Sequence, residues 1–130
     1  MDEELQAVAK AGYAVVINLA LHDADYSLVD EAGWVHQLGM QYIHIPVIWD
    51  APQLSDLEQF FAAMEQCQNK KVFVHCAANM RVSAFMALYR IIEQGWSQDE
   101  AFRKVYEIWD PESEPVWYRF IQDALPGLAR

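Results

Sequence analysis

The run His75-Cys76-Ala77-Ala78-Asn79-Met80-Arg81 is the part of this chain whose residue types and spacing could do chemistry. A thiol follows the apolar, β-branched stretch Val72-Phe73-Val74 and precedes a long helical pattern. Backbone N–H groups converge where a strand gives way to a helix, and the helix N-terminus carries partial positive charge. Arg81 adds a full charge. Both favour the thiolate, which is the nucleophilic form of cysteine. The same donors suit a tetrahedral oxyanion, to which Arg81 offers a planar, two-pronged contact. Ser83 is placed to donate a hydrogen bond to the thiolate, which makes the sulfur a better leaving group. His75 is read as a support that orients the loop through hydrogen bonds rather than as a general base. The second cysteine, Cys67, is read as a packing residue, with a reversible disulfide to Cys76 as the alternative.

The elements that must hold this loop follow from the apolar pattern. Residues near 2–11 have a helical pattern, and Ala14-Val15-Val16-Ile17-Asn18-Leu19 suits a buried strand interrupted by one polar residue. Ser27 with Asp30 resembles a capping pattern for a helix that Gly39 ends after Leu38. Tyr42 to Val47 reads as a second strand with Pro46 near its end. Ser55 with Glu58 forms a capping box for a helix carrying Leu57, Phe60, Phe61 and Met64. Lys71 to His75 is a third strand, and a helix from Val82 to Ile92 follows the loop and ends at Gly95. Ser97 with Glu100 opens another helix, and Pro115 suits the first turn of the last one. Strands alternating with helices predict an α/β fold with a parallel central sheet and helices on both faces. Ligands of such sheets sit beyond the carboxyl ends of the strands, where Cys76 is expected.

Composition bounds the partners. A chain of 130 residues without repeat or linker reads as one domain, residues 1–130. Nine basic residues against nineteen acidic give a net charge of -10, which repels nucleic acid and anionic membrane. Neither is expected as a partner. Two cysteines do not make a disulfide scaffold, the start Met1-Asp2-Glu3-Glu4 is acidic, and no apolar run would span a bilayer. A reducing cytoplasm is the expected compartment. The four histidines and the acidic residues show no metal-ligand spacing, so neither metal nor other cofactor is expected. Apolar surface on the C-terminal helices would suit a homodimer.

The segment Val72-Phe73-Val74-His75-Cys76, followed by Arg81 and Ser83, resembles the phosphate loop of cysteine-dependent protein tyrosine and dual-specificity phosphatases. Gly39 to Val47 resembles the strand before their general-acid loop, and Asp50 falls where that loop carries its aspartate. Ala11 to Leu19 resembles the opening of small bacterial phosphatase-like proteins, so the likeness covers about residues 4 to 95. It implies a protein tyrosine phosphatase-like fold and a phosphorylated protein or small molecule as substrate. It also implies a two-step mechanism without metal. Cys76 attacks phosphorus, Arg81 and the amides of Ala77, Ala78, Asn79 and Met80 hold the phosphoryl group, and Asp50 protonates the leaving oxygen and then activates water. Related proteins carry a short segment before the first helix, so a further N-terminal strand is expected outside this chain.

The loop departs from that family in length. Four residues separate Cys76 from Arg81 where the family has five, Val82 stands at the usual arginine position, and Asn79 stands for the usual glycine. A tighter loop has one fewer inward N–H. Single-domain rhodaneses use a shorter cysteine loop with arginine at this spacing, so a sulfurtransferase carrying a Cys76 persulfide is one alternative. A phosphatase-like module that binds an anion or partner without turnover is the other. An exposed aromatic cluster would support it: Trp109, Trp117 and Tyr118 lie at helical spacing on the C-terminal helices, a pattern that more often packs a core, and Trp49 beside Asp50 would line the site mouth or pack the loop.

Overall fold

The computed structural model describes residues 2–20, 31–76 and 80–128. Three parallel strands, β1 (Val15–Asn18), β2 (Gln41–His44) and β3 (Val72–His75), form a sheet in the order β2-β1-β3. Helices α1 (Asp2–Lys10), α2 (Glu31–Gln37), α3 (Leu54–Gln66), α4 (Met80–Ile92), α5 (Gln98–Tyr106) and α6 (Pro115–Leu128) cover it, with a 3-10 turn at Pro111–Ser113.

The two-residue period of the strands builds two cores. Val15 and Ile17, with Ile43, Val72 and Val74, face the larger one, which α3, α4, α5 and α6 close with Phe60, Phe85, Phe102 and Trp117. Val16, with Tyr42 and Phe73, faces the smaller one, closed by α1 and α2 through Leu5, Val8, Trp34 and Val35. Helices therefore lie on both faces, as the βαβ pattern predicts. The chain crosses from β1 to β2 through α2, then back past β1 to β3 through α3. Reversing direction while keeping one crossover hand puts the connecting helices on opposite faces. Each large aromatic side chain buried here contributes roughly 1.5–3 kcal/mol of transfer free energy.

Gly39 stops α2 as expected, at φ +82°. Its N–H donates to His36 O at 3.0 Å, and the Met40 N–H donates to Val35 O at 3.1 Å. Met40 and Val35 then pack in the same small core. This is the paired hydrogen-bond pattern with its apolar contact that closes many helices in a left-handed residue. Ser97 Oγ accepts from the Glu100 N–H, and Pro115 opens α6, both as expected.

Two boundaries differ. The cap of α3 lies two residues earlier than Ser55 and Glu58: Gln53 is extended, and the Asp56 carboxylate accepts its N–H at 3.1 Å. The regular part of β2 ends at His44 rather than Val47. Beyond it only alternate N–H groups reach β1, Ile45 to Asn18 O and Val47 to Leu19 O, each at 3.0 Å. Pro46 between them has no N–H, which an edge strand tolerates. The Ser27 and Asp30 capping pattern lies outside the described residues.

Candidate active site

The strand register sets the site's floor. Asn18 lies level with His44 on one side and His75 on the other, so three polar residues meet at the carboxyl ends of the strands. A buried carboxylate bonds two of them, Asn18 and His75. Glu31, the first residue of α2, is 4% exposed. Its Oε1 accepts from Asn18 Nδ2 at 3.1 Å and its Oε2 from His75 Nε2 at 2.6 Å. The carboxylate can only accept, so Nε2 is the protonated nitrogen of His75. Asn18 uses its other amide hydrogen on the Tyr42 hydroxyl at 3.1 Å, and its Oδ1 accepts the Ala20 N–H at 2.8 Å. His44 Nε2 donates to Ala20 O at 2.6 Å. Burial pushes the Tyr42 hydroxyl up to about 12; the Asn18 hydrogen bond lowers it and the nearby Glu31 carboxylate raises it.

Cys76 follows His75 directly. It is partly buried against the main core and forms no disulfide. The His75 carbonyl accepts from the Leu19 N–H at 2.9 Å, which anchors the strand end beside the thiol. Ala77, Ala78 and Asn79 lie outside the described residues. Helix α4 begins at Met80, so a helix N-terminus stands four residues past the thiol.

Arg81 belongs to that first turn. Its guanidinium lies 5.9 Å from the centroid of the Trp49 ring. Its Nε is buried and has no hydrogen-bond partner, alone among the buried side-chain nitrogens and oxygens of the described residues. An orphaned buried donor is costly to keep, and a charged one more so. Val82, at the family's arginine position, instead packs against the main core. The Ser83 hydroxyl donates to Met80 O at 2.8 Å and accepts from Trp109 Nε1 at 2.9 Å, which ties the first turn of α4 to Trp109.

Asp50 is exposed on a tight turn in which the Ala51 N–H donates to Ile48 O at 3.0 Å. The turn is tied to the site through its neighbour. Trp49 packs against Trp109 at 5.4 Å and Trp117 at 5.2 Å, besides lying under Arg81. Trp117 Nε1 donates to Trp49 O at 2.8 Å. Trp109 and Trp117 are therefore packing residues, and Trp49 both packs the loop and faces the arginine. Tyr118 points outward, 46% exposed.

No disulfide joins Cys67 and Cys76; both are free. Cys67 caps the end of α3 before β3 begins, whereas Cys76 follows the end of β3. Two surface clefts lie elsewhere. One, about 470 Å³, runs between α5 and α6 past Tyr106 and Tyr118; the other, about 760 Å³, lies between residues 51–55 and α6. Neither is lined by Cys76. Among the described residues no cluster of His, Cys, Asp and Glu is placed to hold a metal, and no helix is long and apolar enough to cross a membrane.

Sequence reasoning missed Glu31 and the linking role of Trp117. Glu31 is one of nineteen acidic residues and begins a short helix, where a carboxylate is ordinarily solvated. The one signal was Asn18, a polar residue inside a buried strand, which needs partners of its own.

Comparison with known proteins bears on this geometry. The family model described as DSP-PTPase phosphatase fused to NAD+ kinase matches residues 1–113. The dual specificity protein phosphatase TpbA of Pseudomonas aeruginosa is 32% identical over 81 residues. That match takes in 58% of this chain and only 36% of the length of TpbA. The crystal structure of a DUF442 protein from Shewanella putrefaciens CN-32 superposes with a TM-score of 0.87 at 34% identity, covering 100% of this chain and 82% of that one. TpbA solved with phosphotyrosine superposes at 0.75 with 18% identity, covering 98% of this chain and 77% of that one, a likeness of fold.

Proposed function

Since the chain belongs to the family of DSP-PTPase phosphatases fused to NAD+ kinase, we propose that it hydrolyses a phosphate monoester through a cysteinyl-phosphate on Cys76. The observation that carries this reading is the buried, unpartnered Nε of Arg81 in the first helical turn beyond the thiol. A donor in that state is what an oxyanion would satisfy. It also bears on the shortened spacing: Val82, at the family's arginine position, packs against the apolar core, and Arg81 beside it supplies the buried donor.

In the proposed reaction the Cys76 thiolate attacks phosphorus in line with the ester oxygen. The P–S bond forms as the P–O bond breaks, and Asp50 gives its proton to the leaving oxygen. Arg81 and the amides of Ala77 to Met80 take up the charge on the three phosphoryl oxygens. Asp50, now a carboxylate, accepts a proton from water as that water attacks phosphorus and releases the thiolate. His75 serves as a support: Glu31 holds its side chain and the Leu19 N–H holds its carbonyl. A phosphorylated protein or small molecule is the substrate class, and phosphotyrosine is the first to try, since TpbA has been solved with it.

The test is hydrolysis of p-nitrophenyl phosphate and phosphotyrosine by the wild type and Cys76→Ser. Turnover that vanadate inhibits and Cys76→Ser abolishes is expected. Turnover no greater than that of Cys76→Ser across a broad phosphate panel would refute the reading. A one-sulfur mass gain on Cys76 from thiosulfate, without phosphate turnover, would replace it with sulfur transfer.

A further inference from the structure

Trp117 has a fully buried side chain, 0% exposed, on the first turn of α6. Phe85 at 6.1 Å and Phe120 at 5.4 Å fix its ring. A buried indole N–H needs an acceptor. Here the acceptor is the carbonyl of Trp49, at 2.8 Å.

That carbonyl belongs to the peptide joining Trp49 to Asp50. A peptide unit is planar, so its oxygen, its nitrogen and the Asp50 Cα move as one body. The hydrogen bond from a rigid helix therefore fixes the plane from which the Asp50 side chain departs. The Ile48–Ala51 turn hydrogen bond holds the same unit from the other side. The ring of Trp49 lies meanwhile under the Arg81 guanidinium, so one residue registers both groups.

We propose that Trp117 is a positioning residue for the reaction: through the Trp49 carbonyl it fixes the backbone of Asp50 on the side of Trp49 that carries Arg81, before substrate arrives. This rests on the reading of Asp50 as the general acid. The turn at residues 48–51 is then held in one position. Opening it would strand a buried N–H in the apolar core, so the acid is in place in the free protein.

General acid catalysis matters most when the leaving group is poor, and that separates positioning from mere stability. The measurement is kcat/KM along a series of aryl phosphates of graded leaving-group basicity, with full pH profiles. It compares wild type, Asp50→Asn, Trp117→Phe, and Trp117 replaced by its benzothiophene isostere, which keeps the ring and lacks only the N–H. Asp50→Asn should steepen the dependence on the leaving group and flatten the alkaline limb. Trp117→Phe and the isostere should do the same in part, losing about tenfold or more on the poorest leaving group and less than about threefold on p-nitrophenyl phosphate. KM should hardly change. If Asp50→Asn behaves so while the isostere matches wild type along the whole series, the inference is overturned and the phosphatase reading stands. If all substrates fall equally in the Trp117 variants, the role is structural and the inference is overturned too. If Asp50→Asn leaves the slope unchanged, the inference falls together with the reading of Asp50 as the general acid.

Discussion

Replacing Glu31 with alanine removes the acceptor that ties the ends of β1 and β3 together. Two hydrogen bonds are lost, from Asn18 at 3.1 Å and from His75 at 2.6 Å. They are not equal. Asn18 keeps the Tyr42 hydroxyl as a partner for one of its two amide hydrogens. His75 Nε2 loses the only partner it has among these groups, in a side chain that is 15% exposed. A hydrogen bond to a charged group contributes about 1.5–3 kcal/mol, and a buried carboxylate also carries a desolvation cost that its removal relieves. The net loss expected for Glu31→Ala is about 2–3 kcal/mol, or roughly 7–11 °C in Tm for a chain of this size. Glu31→Gln keeps the volume and one acceptor, and His75 can change tautomer to meet the amide, so it should cost only about 1 kcal/mol. Urea unfolding followed by the fluorescence of the five tryptophans measures both variants. Equal slopes with the midpoint order wild type, Gln, Ala are expected. An alanine variant within about 0.5 kcal/mol of wild type would refute the view that this network holds the strand ends.

Tyr42 carries a pH prediction. Its hydroxyl is raised from 10.0 to about 12 in the folded protein. The folded state therefore holds its proton more tightly than the unfolded chain, and this contribution is fully present below pH 10 and lost as pH rises towards about 12. Unfolding at pH 9 to 12 should show that loss in wild type and less of it in Tyr42→Phe; identical profiles would contradict the assignment. Gly39→Ala should destabilise by about 1 kcal/mol from its left-handed backbone alone, because an added Cβ would meet nothing within 4 Å. A larger loss in denaturant melts would mean a steric clash that the structure does not contain.

Much of this arrangement is legible in the chain because it depends on local pattern. The apolar periods of Val15–Ile17 and Val72–Val74 mark the sheet, and their two-residue alternation already implies two cores. The stop at Gly39 and the start at Ser97 follow from single residues with strong backbone preferences. The cap of α3 falls at Gln53 rather than Ser55 because two capping patterns overlap within residues 53–58, and local sequence does not choose between them. The candidate site divides in the same way. Cys76 at a strand end and Arg81 in a helix start follow from order along the chain. The pairing of Glu31 with His75, 44 residues apart, and of Trp117 with Trp49, 68 apart, depends on tertiary packing that no local signal encodes. Ser83 shows both sides: its spacing from Cys76 suits a thiolate donor, and the hydrogen bonds of its hydroxyl with the Met80 carbonyl and Trp109 emerge only in the fold.

The covalent intermediate on Cys76 is the centre of the account. Rapid quenching of Asp50→Asn with an activated aryl phosphate, followed by mass spectrometry of the peptide carrying Cys76, looks for it directly. Slowed hydrolysis should let one phosphoryl group accumulate on Cys76, and the same treatment of Cys76→Ser should show none. Steady turnover of the aryl phosphate by Cys76→Ser, or wild-type turnover with no phosphoryl group ever found on Cys76, would contradict it.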